Sequence, residues 1–449
     1  MNNMTTSISN PGSGLRSQLS MVWKLSIPAI LTQFTSMAMQ YIDSGMVGRL
    51  GANASAAIGL VTTSTWLMNG IGFAIAAGFS VQVAQYIGAG EPHNARRVIK
   101  HGFVSSIVVS ILIMMVGILI SEPLPRWLGG DEILWEDASA YFLVYAITLP
   151  FLGLHRLASS FLQSAGNMVV PSILNAVTCL LDVVFNFFLI PRFGVLGAGI
   201  GTGLATVVVC FPVLWFCCIR FEPLRLNRKE RCPLDISIIK RAVKIGTPVG
   251  AESIAMSSAY VASTTIIAPL GAVSIAAHSF AITAESICYL PGYGISAAAT
   301  TLVGQSIGAG DYCLARRYGY ITVIIGSIMM TLNGIIMFFA CPLVFALLTP
   351  VPAVRSVAAQ ILRIELFAEP LYGISTVASG ALRGAEDTLV PSIISLFSIW
   401  VVRLGLASCL VPLYGIRGMW IAMAIELCIR GLLFLVRLLR SKYLHPDRA

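Results

Sequence analysis

The chain has 449 residues, 57% hydrophobic and only 11% charged, against about 25% charged in an ordinary soluble domain. Asp, Glu, Lys and Arg are absent from Leu50 to Gly90, Phe193 to Ile219, Ser253 to Ala284 and Tyr318 to Val354, whereas one bilayer span needs only about 20 apolar residues. This excludes a soluble globular fold, and the net charge of +9, carried by loops between apolar segments, is no sign of nucleic acid binding.

In chain order, residues 1–23 form a polar tail containing Pro11, Gly12 and Gly14. No small-residue cleavage pattern follows a short apolar core, so it does not read as a signal peptide. Apolar segments then predict helices near 25–48, 56–87, 101–121, 138–162, 171–190 and 195–220, an N-lobe over 24–220. A basic linker at 221–243 follows. A second set comes at 244–268, 275–307, 319–340, 357–380, 391–411 and 418–438, a C-lobe over 244–440, and residues 441–449 form a second tail. The fold class is an all-α integral membrane protein with twelve transmembrane helices.

The two halves repeat one another. Pro28 pairs with Pro248, Ile87-Gly88-Ala89-Gly90 with Ile307-Gly308-Ala309-Gly310, and Pro171-Ser172 with Pro391-Ser392, each 220 residues apart. Six spans return each half to its starting side, so the repeats are expected to be parallel, the arrangement of many secondary transporters. Pro150 and Pro370 also recur, inside predicted helices where they favour kinks. Pro28 and Pro248 are expected near helix starts, where a missing N–H costs little.

Lys/Arg bias sets orientation. Arg16, Lys24, Arg96, Arg97, Lys100, the linker, Arg316, Arg317, Arg383, Arg437, Arg440, Lys442 and Arg448 fall on one side. The other side holds scattered Arg49, Arg126, Arg192, Arg355 and Arg417 and the acidic Asp131, Glu132, Glu136 and Asp137. Both termini are therefore expected in the cytoplasm of a cell whose inner membrane holds the protein. The ten cysteines form neither CxxC pairs nor Cys/His clusters and read as small apolar residues; no metal site is expected. Gly197, Gly199, Gly201 and Gly203 suggest close helix packing. The chain lacks GxxxxGK[ST], which disfavours ATP as the driving force.

Charges inside a membrane are costly and mark candidate sites. Asp43 lies 19 residues past Lys24, roughly 28 Å along the first helix, and Asp182 stands near the middle of the fifth. Low dielectric disfavours the charged carboxylate, which suits a proton carrier; the alternatives are an interfacial Asp43 and a structural hydrogen bond for Asp182. Glu252, Glu285 and Glu369 are the C-lobe acids, suited to cations or protons. Glu426 and Arg430 share a helix face, and with Arg403 they read as a neutralised structural network.

Three segments carry a resemblance. Asp43-Ser44-Gly45-Met46-Val47-Gly48-Arg49-Leu50-Gly51, Ala298-Ala299-Thr300-Thr301-Leu302-Val303-Gly304-Gln305, and Gly380-Ala381-Leu382-Arg383-Gly384-Ala385-Glu386-Asp387-Thr388 resemble the signatures of multidrug and toxic compound extrusion (MATE) transporters. The resemblance runs from about Lys24 to Lys442. It implies two lobes forming a V-shaped bundle, and efflux coupled to inward flow of H⁺ or Na⁺ without another cofactor. It assigns cation coupling to Asp43 and Asp182, with Thr178 where relatives often carry Asn and Thr202 matching a sixth-helix threonine. Glu285 and Glu369 resemble C-lobe cavity acids by region.

The expected substrate is a small cationic or amphipathic compound, and the expected partners are membrane lipids around a monomer. The alternative is a flippase for lipid-linked saccharides, which needs a basic cavity for pyrophosphate. An intramembrane transferase would need a DDxxD-type cluster, which is absent, so no enzyme activity is expected.

Overall fold

The computed structural model describes residues 14–227 and 235–441. The polar ends of both tails and the linker centre, including Arg228, Lys229, Arg231, Lys442 and Arg448, lie outside the described residues. The helices are α1 (Leu15–Gly48), α2 (Ala52–Gly88), α3 (Pro92–Ser121) and α4 (Trp135–Ser164). Val169–Trp215 breaks at Gly194 into α5 (169–193) and α6 (195–215). Then follow α7 (Ile236–Ile267), α8 (Ala272–Gly308) and α9 (Tyr312–Leu348). Helix α10 runs over Pro352–Glu365 and Glu369–Gly384, joined by the tight turn Leu366–Ala368. Helix α11 runs over Leu389–Phe397 and Leu404–Tyr414, joined by the wide turn Ser398–Arg403, and α12 is Ile416–Arg440.

These twelve helices match the predicted order, and several start earlier than hydropathy suggests. Helix α3 begins at Pro92, so Arg96, Arg97 and Lys100 lie on helix; an apolar window registers only the part of a helix that lipid surrounds. The same effect corrects the reading of two prolines. Pro28 and Pro248 stand well inside α1 and α7, about three turns from the helix starts, and not in a first turn. Pro370 shows the reverse. It sits at the start of the second stretch of α10, whereas its repeat mate Pro150 lies within α4.

Two compact units emerge, and their boundaries fall just past those prolines. One is Leu31–Gly250; the other combines residues 14–30 with the chain from Ala251. In the first unit, the start of α7 docks on α2. A Cβ at Gly78 would strike the Ala242 carbonyl and one at Gly246 the Ala74 carbonyl, and Gln82 Nε2 donates to Ile238 O at 3.2 Å. Only glycine permits backbones so close. In the second unit, Gly294 of α8 presses on the Ile30 backbone in the same way.

Each unit has its own core. Phe79, Ile99, Leu157 and Phe161 are buried in the first, and Phe345, Ile361, Met419 and Trp420 in the second. Leu119, Phe339 and Leu347 point outward, 78%, 76% and 81% exposed, as suits a lipid-facing surface. The glycine run behaves as expected: Gly197 abuts the Leu189 carbonyl, Gly199 packs on Tyr141 and Val144, and Gly203 on Thr148.

Candidate functional site

In the first unit, α1 and α5 bring Asp43 and Asp182 together through a third residue. Asn186 Nδ2 donates to Asp43 Oδ1 at 2.9 Å and to Asp182 Oδ1 at 3.3 Å. Asp182 and Asn186 are fully buried, and Asp43 is half-buried. Asp182 and Asn186 are four apart on α5, hence on one face. Gly201 of α6 lies against the Asn186 side chain, with no room for a Cβ. One amide thus serves two carboxyls, while Asp182 Oδ2 is buried without a hydrogen-bond partner among the described residues. Two carboxyls thus stand around a single amide donor, and like charges there would repel if both were ionised.

The flanking threonines are not in this network. Thr178 donates to Leu174 O at 2.9 Å, and the Thr202 carbonyl accepts from Thr206 Oγ1 at 3.0 Å. Neither side chain hydrogen-bonds the aspartates. The resemblance puts an Asn of many relatives one turn before Asp182, where Thr178 stands; in this chain the bridging amide, Asn186, lies one turn after. The signal was the Asp182-x-x-x-Asn186 spacing.

The second unit is built differently. Ser392 Oγ donates to Glu252 Oε2 at 3.0 Å. Arg403 Nη2 lies 2.6 Å from Glu426 Oε2, and Arg430 Nε lies 3.1 Å from Glu426 Oε1, the latter without hydrogen-bond geometry. Two guanidiniums therefore share one carboxylate, and Glu285 lies within their electrostatic reach. Glu285, Arg403, Arg430, Tyr260, Ser263 and His278 line a cavity with about 30 Å³ of free space, roughly one water. Arg403, Glu426 and Arg430, the expected structural trio, are thus ion-paired, and Glu285 lines the same small cavity as the two arginines.

Glu369 is separate from that ion pair. It and Glu365, which sequence reading passed over, flank the tight turn of α10, both fully buried. None of their four carboxyl oxygens has a hydrogen-bond partner among the described residues. An ionised carboxylate in such a place needs a proton, water or a bound cation.

The two repeats also change register within the site. Pro171 and Pro391 are 220 apart, but the left-handed Gly194 and Gly415 are 221 apart, as are Gly197 and Gly418 with their Leu189 and Leu410 carbonyl contacts. The extra residue is absorbed by the wide turn Ser398–Arg403, and such turns gather at functional sites. Past that turn, Arg403 corresponds to Asp182 and Ala407 to Asn186. Ser263 corresponds to Asp43, because Gly51 and Gly271 keep the 220 interval.

The family model MatE matches residues 28–188 and 248–408, one match in each repeat. The chain belongs to the MatE family. It is 27% identical to a probable multidrug resistance protein NorM of Chromobacterium violaceum, with 94% of each chain covered. Its identity to a protein of the same description from Thermotoga maritima is also 27%, covering 94% of this chain and 92% of the relative. Among solved structures, it resembles a MATE transporter crystallised in complex with MaL6 (TM-score 0.93, 20% identity, 99% and 100% covered). It also resembles the Vibrio cholerae MATE transporter VcmN in its bent form (TM-score 0.88, 19% identity, 98% and 99% covered). The fold is therefore the twelve-helix fold of these transporters.

Proposed function

We propose that this chain is a secondary efflux transporter that exports small cationic or amphipathic compounds in exchange for H⁺ or Na⁺. The multidrug resistance relatives support the export reading. The observation that carries the coupling reading is the Asn186 amide shared between Asp43 and Asp182.

The mechanism follows from charge balance. With both carboxyls ionised and one amide between them, like charges repel in a low-dielectric site. Entry of one proton or sodium ion relieves the repulsion and lets the site close and dry. Release to water on the other side restores the charged pair. A coupling ion shifts a conformational equilibrium only by its differential affinity for the two states, and a site that is incomplete without a cation supplies that difference. Thr178 and Thr202 line the neighbouring turns and act on the shape of the site. In the C-lobe, Glu252, Glu285 and Glu369 attract the cationic end of the substrate. The acidic character of both sets supports the exporter over a saccharide flippase.

The working form is a monomer surrounded by lipid in a bacterial inner membrane, with both termini cytoplasmic and no cofactor beyond the coupling ion. Export of ethidium from proteoliposomes under a pH gradient alone, then a Na⁺ gradient alone, tests the function. Acceleration by at least one gradient is expected; none by either would refute ion-coupled export.

A further inference from the structure

A cation stands unpaired in the first unit. Arg156 of α4 lies one turn past Gly153, whose position faces Ser106 and Ser110 of α3, residues at the middle of that helix. A guanidinium has five N–H donors. Among the described residues Arg156 makes a single hydrogen bond, from Nη1 to the Asn69 carbonyl at 2.9 Å, and no ion pair. Gly72 lies beside it, where a Cβ would make an ordinary contact 3.6 Å from Nη1.

The guanidinium borders an open recess of about 380 Å³ lined by Trp66, Asn69, Gly70, Phe73 and Arg156. Residues 66, 69, 70 and 73 fall on one face of α2. Trp66 and Phe73 are 51% and 42% exposed, offering aromatic surface beside the charge. Among the described residues the Asn69 Oδ1 is buried without a hydrogen-bond partner. The counterpart of Arg156 in the second repeat is Thr376, so the repeat scaffold does not require a cation there.

We propose that Arg156, Asn69, Trp66 and Phe73 form a subsite for the carboxylate of an aromatic compound, so that substrates include aromatic acids or zwitterions. The carboxylate accepts the spare guanidinium N–H groups, as planar bidentate recognition favours, and the ring lies against Trp66 or Phe73. This deepens the export reading and rests on it.

The test is equilibrium binding of dansylglycine, and of its uncharged amide, to detergent-purified protein, read by energy transfer from tryptophan. The wild type is expected to bind the carboxylate roughly tenfold tighter than the amide, the scale of one charge-assisted hydrogen bond. Arg156→Gln should reduce that preference to less than about twofold while leaving amide binding in place, and Arg156→Lys should retain part of it. Equal binding of both probes by the wild type, no saturable binding of the carboxylate, or undiminished preference in folded Arg156→Gln would overturn the proposal. The wild-type comparison needs no variant to fold. The assay needs no gradient, so its failure is distinct from a failure of ion-coupled export.

Discussion

Arg403 occupies in the second repeat the place that Asp182 holds in the first, and it pairs with Glu426 at 2.6 Å. One scaffold position thus carries opposite charges in the two halves. Glu426 is fully buried and Arg403 nearly so, and removing Arg403 leaves the buried carboxylate with Arg430 alone, 3.1 Å away and without hydrogen-bond geometry. Arg403→Gln is therefore expected to destabilise the second unit by about 3 kcal/mol, seen as a lower melting temperature in detergent. A melting temperature equal to the parent's would show that the ion pair holds nothing together.

Among the described residues, Asn186 is the one donor that joins the two N-lobe aspartates. Asn186→Leu keeps the branched shape and removes the amide, leaving buried carboxyl oxygens without a donor at about 1–3 kcal/mol. Gradient-driven ethidium export is expected to fall at least roughly tenfold, since 1.4 kcal/mol is tenfold in an equilibrium. Unchanged export by correctly inserted protein would remove Asn186 from the coupling site.

The three C-lobe acids have three different surroundings. Glu252 accepts from Ser392, Glu285 faces Arg403 and Arg430, and Glu369 has no hydrogen-bond partner among the described residues. Glu369→Gln is expected to weaken binding of a lipophilic cation most, and Glu285→Gln less, because its charge is already offset. If Glu252→Gln, Glu285→Gln and Glu369→Gln all bind the cation like the parent, these acids are structural.

Orientation is open to direct labelling. Ala89, Ala309 and Glu132 are exposed turn residues. In a background lacking the exposed Cys313 and Cys409, cysteines at positions 89 and 309 should react only from the cytoplasm, and one at 132 only from outside. Positions 89 and 309 on opposite sides would contradict the parallel repeat.

What the sequence made legible was the repetition and the apolar segmentation, because both are properties of single helices. The 220-residue interval, the twelve spans and the glycine packing of α6 all follow from local pattern. The docking of α7 on α2 through Gly78 and Gly246 did not show, since hydropathy cannot see which backbones approach. Asp43 and Asp182 stood out as charges in apolar helices. Asn186 did not, because an uncharged amide raises no alarm in a hydropathy window. Glu365 was hidden beside the helix break of α10, and Arg156 near the end of a predicted helix. The register shift at Ser398–Arg403 is invisible without the wide turn that absorbs it, so the match of Arg403 to Asp182 required the structure.

The central claim is that Asp43 couples ion entry to export, and one substitution tests it. Asp43→Asn removes the charge while keeping a group that can meet the Asn186 amide, so it fixes the site near its neutral state. Ethidium export from proteoliposomes is measured for parent and Asp43→Asn protein under the gradient that drives the parent, with insertion verified in both. The account predicts that Asp43→Asn loses gradient-driven export and still folds and inserts, whereas Asp182→Asn loses less. Full gradient-driven export by Asp43→Asn would contradict it.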